Sequence, residues 1–174
     1  AYEIVDCDWS SDVCSSDLTG NSNSNVEASM SYIEAFANNE AHATVSLGDL
    51  TFTATNAGDS GRAEAEFVQD IRALAYVDAN AEITIGDITL TATETGTNGH
   101  AYAGFSYDDI FADASDEANA QVTIGNISIE ATATNDGGSA DATMGTIFAN
   151  ANLNSDATVS IGNISLAAYS DQNY

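Results

Sequence analysis

The chain of 174 residues has no proline and no lysine, and its only basic residues besides two histidines are Arg62 and Arg72. Each scarcity excludes something. Without proline, every position can donate its N–H to a strand ladder, which permits long unbroken strands. With 27 acids and a net charge of −25, the chain repels phosphates. That argues against nucleic acid and membrane insertion or anionic membrane surfaces as partners, and it favours cations. No apolar run approaches the roughly eighteen residues of a membrane-spanning helix. Yet 44% of the residues are apolar, too many for a disordered acidic tail. The length fits one domain. Cysteine occurs twice, as Cys7 and Cys14, and tryptophan once, as Trp9, all in the opening stretch.

The rest of the chain repeats. The segments ATVSLGDLTFTAT from Ala43, EITIGDITLTAT from Glu82, QVTIGNISIEATAT from Gln121 and TVSIGNISLAAYS from Thr158 place glycine at 48, 86, 125 and 162, steps of 38, 39 and 37. A looser repeat lies between them: VEASMSYIEAFA from Val26, AEAEFVQDIRALA from Ala63, AYAGFSYDDIFADA from Ala101 and ADATMGTIFANA from Ala140. The two halves are joined by loops such as NAGDSG from Asn56, ETGTNG from Glu94 and NDGGS from Asn135. Repeats at this period indicate an array in which each unit buries its apolar face only against its neighbours.

Within each half, apolar and polar residues alternate, the period of a strand with one buried face. The step from Ile85 to Ile88 is three rather than two, so a straight strand would turn its apolar residues outward there. A corner at Gly86-Asp87 keeps them inward, with glycine expected to supply unusual backbone angles and Asp or Asn to bond the local backbone. The other half shows the same step, from Ala103, Phe105 and Tyr107 to Ile110, Ala112 and Ala114. The expected fold is all-β: a parallel β-solenoid of about four ~38-residue repeats. Its ladders are Val45–Ile83–Val122–Val159, Leu47–Ile85–Ile124–Ile161 and Leu50–Ile88–Ile127–Ile164. The alternative is an antiparallel β-meander folded into a sandwich, with hairpin pairing across NAGDSG and its equivalents.

Residues 1–18 share nothing with this repeat. They resemble the translation of a standard short-read sequencing adapter with its index: Ala1-Tyr2-Glu3-Ile4, two index-coded residues (Val5 and Asp6), the variable Cys7, then Asp8 to Leu18. The resemblance implies a non-native adapter-derived segment at 1–18 and a β-repeat array at 19–174, a fragment of a longer protein. On that reading a Cys7–Cys14 disulfide, a two-thiol metal site and a binding role for Trp9 all lose their basis. Without Glu3, Asp6, Asp8, Asp12 and Asp17, the remainder still carries 22 acids against two arginines, a net −20. The lack of a basic start and apolar stretch, as in a signal peptide, is then uninformative.

Candidate motifs each have a plainer explanation. Asp49, Asp87, Asn126 and Asn163 would stack in a line, as a cation column or as corner residues bonding backbone; two of the four are uncharged, which favours the corner. Asn126-Ile-Ser128 and Asn163-Ile-Ser165 match the glycosylation sequon, but Asp-Leu-Thr and Asp-Ile-Thr fill the same slots elsewhere. The Gly/Asp loops suggest calcium, although the GGxGxDxUx nonapeptide is absent. Thr51, Thr53 and Thr55 with Thr89, Thr91 and Thr93 form an outward array of a kind that can bind ice. It breaks at Ser128, Glu130 and Thr132 and at Ser165, Ala167 and Tyr169, and β-propensity accounts for the threonines. His42 and His100 have no evident partner set. Asp108, Asp109 and Asp113 are the only dense acidic group, with Gln69-Asp70 and Thr146-Ile147 expected in the neighbouring coils. No nucleophile–base pair, phosphate loop or zinc spacing occurs. No catalytic, cofactor or metal residue is therefore assigned, and calcium is the one cofactor considered.

The repeated A-x-V-T-I-G-[DN]-I-x-L-x-A-T core resembles the β-strand repeat arrays of very large secreted bacterial surface proteins. These are adhesin-like and S-layer-like, and many are exported by type I secretion. The resemblance covers roughly residues 20–170. It implies a non-catalytic stalk or spacer at the cell surface that works by length, stiffness and hydration. Calcium, or cell-surface and polysaccharide ligands, would be the partners of the full-length protein. A calcium-binding adhesin repeat, an ice-binding solenoid and a polysaccharide-acting β-helix enzyme are the other readings.

Overall fold

The computed structural model describes residues 13–20, 25–105 and 110–171. The described residues form seventeen strands and no helix. A first strand, β1 (Val13–Gly20), precedes four coils of four strands each. Coil 1 holds β2 (Asn25–Met30), β3 (Ile33–Asn38), β4 (His42–Leu47) and β5 (Asp49–Asn56). Coil 2 holds β6 (Arg62–Phe67), β7 (Ile71–Tyr76), β8 (Asn80–Ile85) and β9 (Ile88–Glu94). Coil 3 holds β10 (His100–Phe105), β11 (Ile110–Ser115), β12 (Asn119–Ile124) and β13 (Ile127–Ala133). Coil 4 holds β14 (Ser139–Thr143), β15 (Ile147–Asn152), β16 (Asp156–Ile161) and β17 (Ile164–Ser170).

Equivalent strands pair in parallel from coil to coil and build four sheets: A (β1-β5-β9-β13-β17), B (β2-β6-β10-β14), C (β3-β7-β11-β15) and D (β4-β8-β12-β16). The chain is a parallel β-solenoid. The three expected ladders are in register: Val45, Ile83, Val122 and Val159; Leu47, Ile85, Ile124 and Ile161; Leu50, Ile88, Ile127 and Ile164. The antiparallel alternative is overturned, because NAGDSG joins β5 of sheet A to β6 of sheet B and makes no hairpin. Sheet A packs against B, and C against D. Large residues on A and D (Phe52, Ile83, Ile88, Leu90) face mostly small ones on B and C (Ala63, Ala65, Ala73, Ala75), all buried. The exception on B is an aromatic stack. Phe67 lies face to face with Phe105 at 5.0 Å and edge-on to Phe52 at 5.6 Å, which ties sheet B to sheet A.

Two kinds of turn close each coil. The link from sheet A to B is the Gly-rich loop. The link from C to D is tighter: two consecutive non-glycine residues take left-handed angles in every coil, at Asn39-Glu40, Val77-Asp78, Asp116-Glu117 and Leu153-Asn154. Asn and Asp tolerate this region; Val77 at φ 59° is β-branched and strained there. The stack supports the conformation, since Asn39 and Glu40 donate N–H groups to Tyr76 and Val77 carbonyls at 3.1 and 3.0 Å, and Val77 and Asp78 donate onward to Ser115 and Asp116.

The expected boundary between Leu18 and Thr19 falls inside β1, whose residues 13–20 pair with Asp49–Asn56 of β5. Backbone pairing at a sheet edge needs an extended chain rather than matching side chains. The side chains match only in part: Leu18 stands in the Ala54 column and packs against the core, whereas the register that carries Phe52, Leu90, Ile129 and Leu166 places Ser16 at the head of that column. Cys7, Trp9 and Tyr107 lie outside the described residues.

Candidate functional site

The corner column is the most regular polar feature. Asp49 Oδ1 accepts the Asp87 N–H at 2.8 Å, Asp87 Oδ1 accepts that of Asn126 at 2.7 Å, and Asn126 Oδ1 accepts that of Asn163 at 3.0 Å. The side-chain amides join in, Asn126 Nδ2 donating to Asp87 Oδ1 and Asn163 Nδ2 to Asn126 Oδ1. Asp49, Asp87 and Asn126 therefore each bond the backbone of the next coil, where their own local backbone was expected. The glycine has a different role from the one expected as well. None of the corner glycines takes a left-handed φ. A Cβ on Gly86 would collide with Asp49 Oδ1, and one on Gly125 with Asp87 Oδ1. Glycine is required here so that the preceding coil's side chain can reach the backbone. The column is a hydrogen-bonded spine in which the Oδ1 atoms of Asp49, Asp87 and Asn126 are engaged by protein donors.

The loops from sheet A to B are organised by a buried polar residue at their start. Asn56 Oδ1 accepts the Gly58 N–H at 3.1 Å, and one coil on Glu94 Oε1 accepts the Gly96 N–H at 2.7 Å. Both side chains are fully buried. Glu94 Oε2 has no hydrogen-bond partner. Burial pushes the Glu94 carboxyl above the ordinary carboxylate range, against the pull of the Gly96 and Thr95 N–H groups and the Asn56 amide. Asp59, a loop acid, accepts the Thr97 N–H at 3.1 Å. Among the described residues, no group of three or more His, Cys, Asp or Glu side chains converges on a point where an ion could sit.

His100 has the partner set that the sequence did not suggest. Arg62 Nε donates to its Nδ1 at 3.3 Å, and its Nε2 lies 2.9 Å from Asp141 Oδ2. Arg62 also pairs with Glu64 at 2.8 Å, so four groups from three coils form one polar run across sheet B. His42 Nδ1 lies 3.1 Å from Asn80 Nδ2. Ser139 stands opposite His100 in the ladder of β14. Of the acidic group, Asp108 and Asp109 lie outside the described residues. Asp113 stands apart in β11, accepting from Tyr76 Oη at 3.0 Å and Asn150 Nδ2 at 2.9 Å. Ile147 pairs with Ile110, so it stands one position past the slot expected for it. The threonines do form outward columns, Thr51–Thr89–Ser128–Ser165 and Thr55–Thr93–Thr132–Tyr169 among them, with Glu130 and Ala167 interrupting the middle one.

The feature that sequence reasoning missed is the outer face of sheet C. Three columns run across its four strands: Glu34–Arg72–Phe111–Phe148, Phe36–Leu74–Asp113–Asn150 and Asn38–Tyr76–Ser115–Asn152. Phe36 is 52% exposed and Phe148 39%. Phe111 and Phe148 stack at 4.8 Å, and Phe36 and Tyr76 sit 6.1 Å apart. The Arg72 guanidinium lies over the Tyr32 ring at 4.8 Å and donates to Glu34 Oε2 at 2.8 Å, which also accepts from Tyr32 Oη at 2.6 Å. Those hydrogen bonds hold the Glu34 carboxyl below its ordinary range, the tyrosine contributing most. The signal was available: the alternate residues of IEAFAN, IRALAY, IFADAS and IFANAN, read as the outward set, include Phe36, Tyr76, Phe111 and Phe148.

No family model, curated protein or solved structure matches the chain.

Proposed function

We propose that the chain is a non-catalytic structural and adhesive repeat segment, a stalk or spacer of a large extracellular bacterial surface protein. The observation that carries this reading is the uniform coil-on-coil stacking. One register is repeated through four sheets, spined by the Asx column, so length is set by coil number and stiffness by continuous parallel ladders. The high negative charge hydrates such a body and discourages association. The corner Asx side chains, His100 and Asp113 are engaged in coil-to-coil bonds, which fits a scaffold better than a reaction centre.

The test is to duplicate coils 2 and 3 in tandem. A spacer folds with the insert and lengthens by about 4.8 Å per added coil in small-angle scattering. A chain that collapses or aggregates on duplication sinks the reading. Polysaccharide hydrolysis by the unmodified chain, lost in Asp113→Asn, would favour a β-helix enzyme instead.

A further inference from the structure

We propose that the outer face of sheet C is a docking platform for an uncharged, polyhydroxylated polysaccharide chain. This deepens the adhesive part of the function proposed above and rests on it. Of the exposed aromatic residues among the described residues, Tyr32, Phe36 and Phe148 belong to this face and Tyr169 to sheet A. Phe36, Tyr76, Phe111 and Phe148 all point away from the core on one sheet, joined by Tyr32 at its edge and Leu74 in its middle. Clustered exposed rings on an otherwise strongly acidic, hydrated body mark an interaction surface.

The polar groups between the rings say what kind of partner fits. Asp113 accepts from Tyr76 Oη and Asn150 Nδ2, and Glu34 accepts from Tyr32 Oη and Arg72 Nε. These bonds hold each carboxylate rigidly beside a ring. A carboxylate offers about four acceptor positions, so lone pairs remain for incoming hydroxyl donors. Apolar ring surface interleaved with fixed acceptors matches a sugar chain, whose C–H faces are apolar and whose rims are hydroxyl donors.

Charge selects against the other occupants. A net −25 repels nucleic acids, acidic polysaccharides and anionic membranes. A second copy docked face to face would set Glu34, Asp70 and Asp113 against their equivalents with only Arg72 to compensate. A neutral glycan meets none of this opposition.

The experiment is affinity electrophoresis of the full chain through native gels containing hydroxyethyl cellulose, glucomannan or dextran, with polygalacturonate and oligolysine as charged comparisons. Retardation by at least one neutral glycan, unchanged between low and high salt, is expected. Phe111→Ser with Phe148→Ser should weaken it by about tenfold or more, while Phe111→Tyr with Phe148→Tyr retains it. Thermal melting of each variant checks that the fold is intact, and if the serine pair unfolds, Phe36→Ser serves in its place. The proposal is overturned by no retardation with any of the three glycans, or by retardation that the serine variants leave untouched. Salt-sensitive binding to oligolysine alone would also overturn it, as would a dimer in sedimentation that the serine variants abolish. A negative result with duplicated coils still lengthening would remove the platform and leave the spacer standing, whereas failure of the duplication would remove the spacer itself.

Discussion

Coils 3 and 4 carry nearly the same inward residues and bury them very differently. In the Leu50–Ile88–Ile127–Ile164 ladder the first three side chains are buried, Ile127 at 1% exposure, while Ile164 is 42% exposed. Ile129 and Leu166 repeat the contrast, as do Ile110 and Ile147. Local sequence and strand assignment are alike in the two coils. What differs is the number of neighbours: each strand of coil 3 is paired on both sides, and each strand of coil 4 on one side among the described residues. Burial in a solenoid is a property of the stack rather than of the repeat. An isoleucine whose full burial is worth about 1.5–3 kcal/mol realises only part of that in coil 4.

The largest expected break of this comparison is a charge in the ladder. Ile127→Asp buries an unpaired carboxylate and should cost more than about 4 kcal/mol, enough to unfold the array. Ile164→Asp, the same change one coil on, should cost under about 1 kcal/mol, as should the outward Thr91→Asp. Chemical denaturation of the three variants measures this, and equal losses for Ile127→Asp and Ile164→Asp would end the idea that stacking decides burial.

Next in size is the corner spine. Gly125→Ala drives a methyl into Asp87 Oδ1 between two fixed coils and should cost about 1–3 kcal/mol. Gly162→Ala meets Asn126 Oδ1 and the Gly125 carbonyl as well, but at 2.9 and 2.8 Å and in a coil free to shift, so its loss should be smaller. Adding Asp87→Ala to Gly125→Ala should recover part of the loss, a coupling that a double-mutant cycle reads directly. Additive losses would show that glycine is there for some reason other than room.

Glu94 gives a smaller effect with a definite sign. Its carboxyl is raised in the folded state, so the fold holds the proton to higher pH than the unfolded chain does. The contribution is fully present below the ordinary glutamate range near 4.3 and is lost as pH rises through the raised folded value. Glu94→Gln, neutral throughout, should match the parent melting temperature in acid and exceed it increasingly toward neutral pH. Parallel curves for parent and variant would place the charge elsewhere.

The smallest effects come from solution ions. Repulsion among the surface acids is screened over about 8–10 Å at moderate ionic strength, so salt should raise the melting temperature by a few degrees. Calcium and magnesium should act alike at equal ionic strength, because Asn56, Asp59 and Glu94 each commit an oxygen to a backbone N–H and no group of three or more metal-ligating side chains converges among the described residues. A saturable gain with calcium alone, at sub-millimolar concentration, would move the chain among calcium-rigidified repeats.

Much of the architecture is legible from sequence alone. The period near 38 residues, the alternation within each half and the three-residue step at Gly86-Asp87 together specify strands, corners, inward faces and the three ladders. This works because strand alternation and repeat spacing are local properties written into side-chain polarity. The tertiary structure decided what depends on the neighbouring coil. It gave the Asx side chains their partners one coil away, made corner glycine a matter of space, and supplied His100 with Arg62 and Asp141. It also fixed the left-handed pairs from sheet C to D, which lack glycine and so gave no signal, and it gathered scattered outward rings into the face of sheet C. In each case the deciding contact joins residues 37 to 41 positions apart, a distance that only stacking closes.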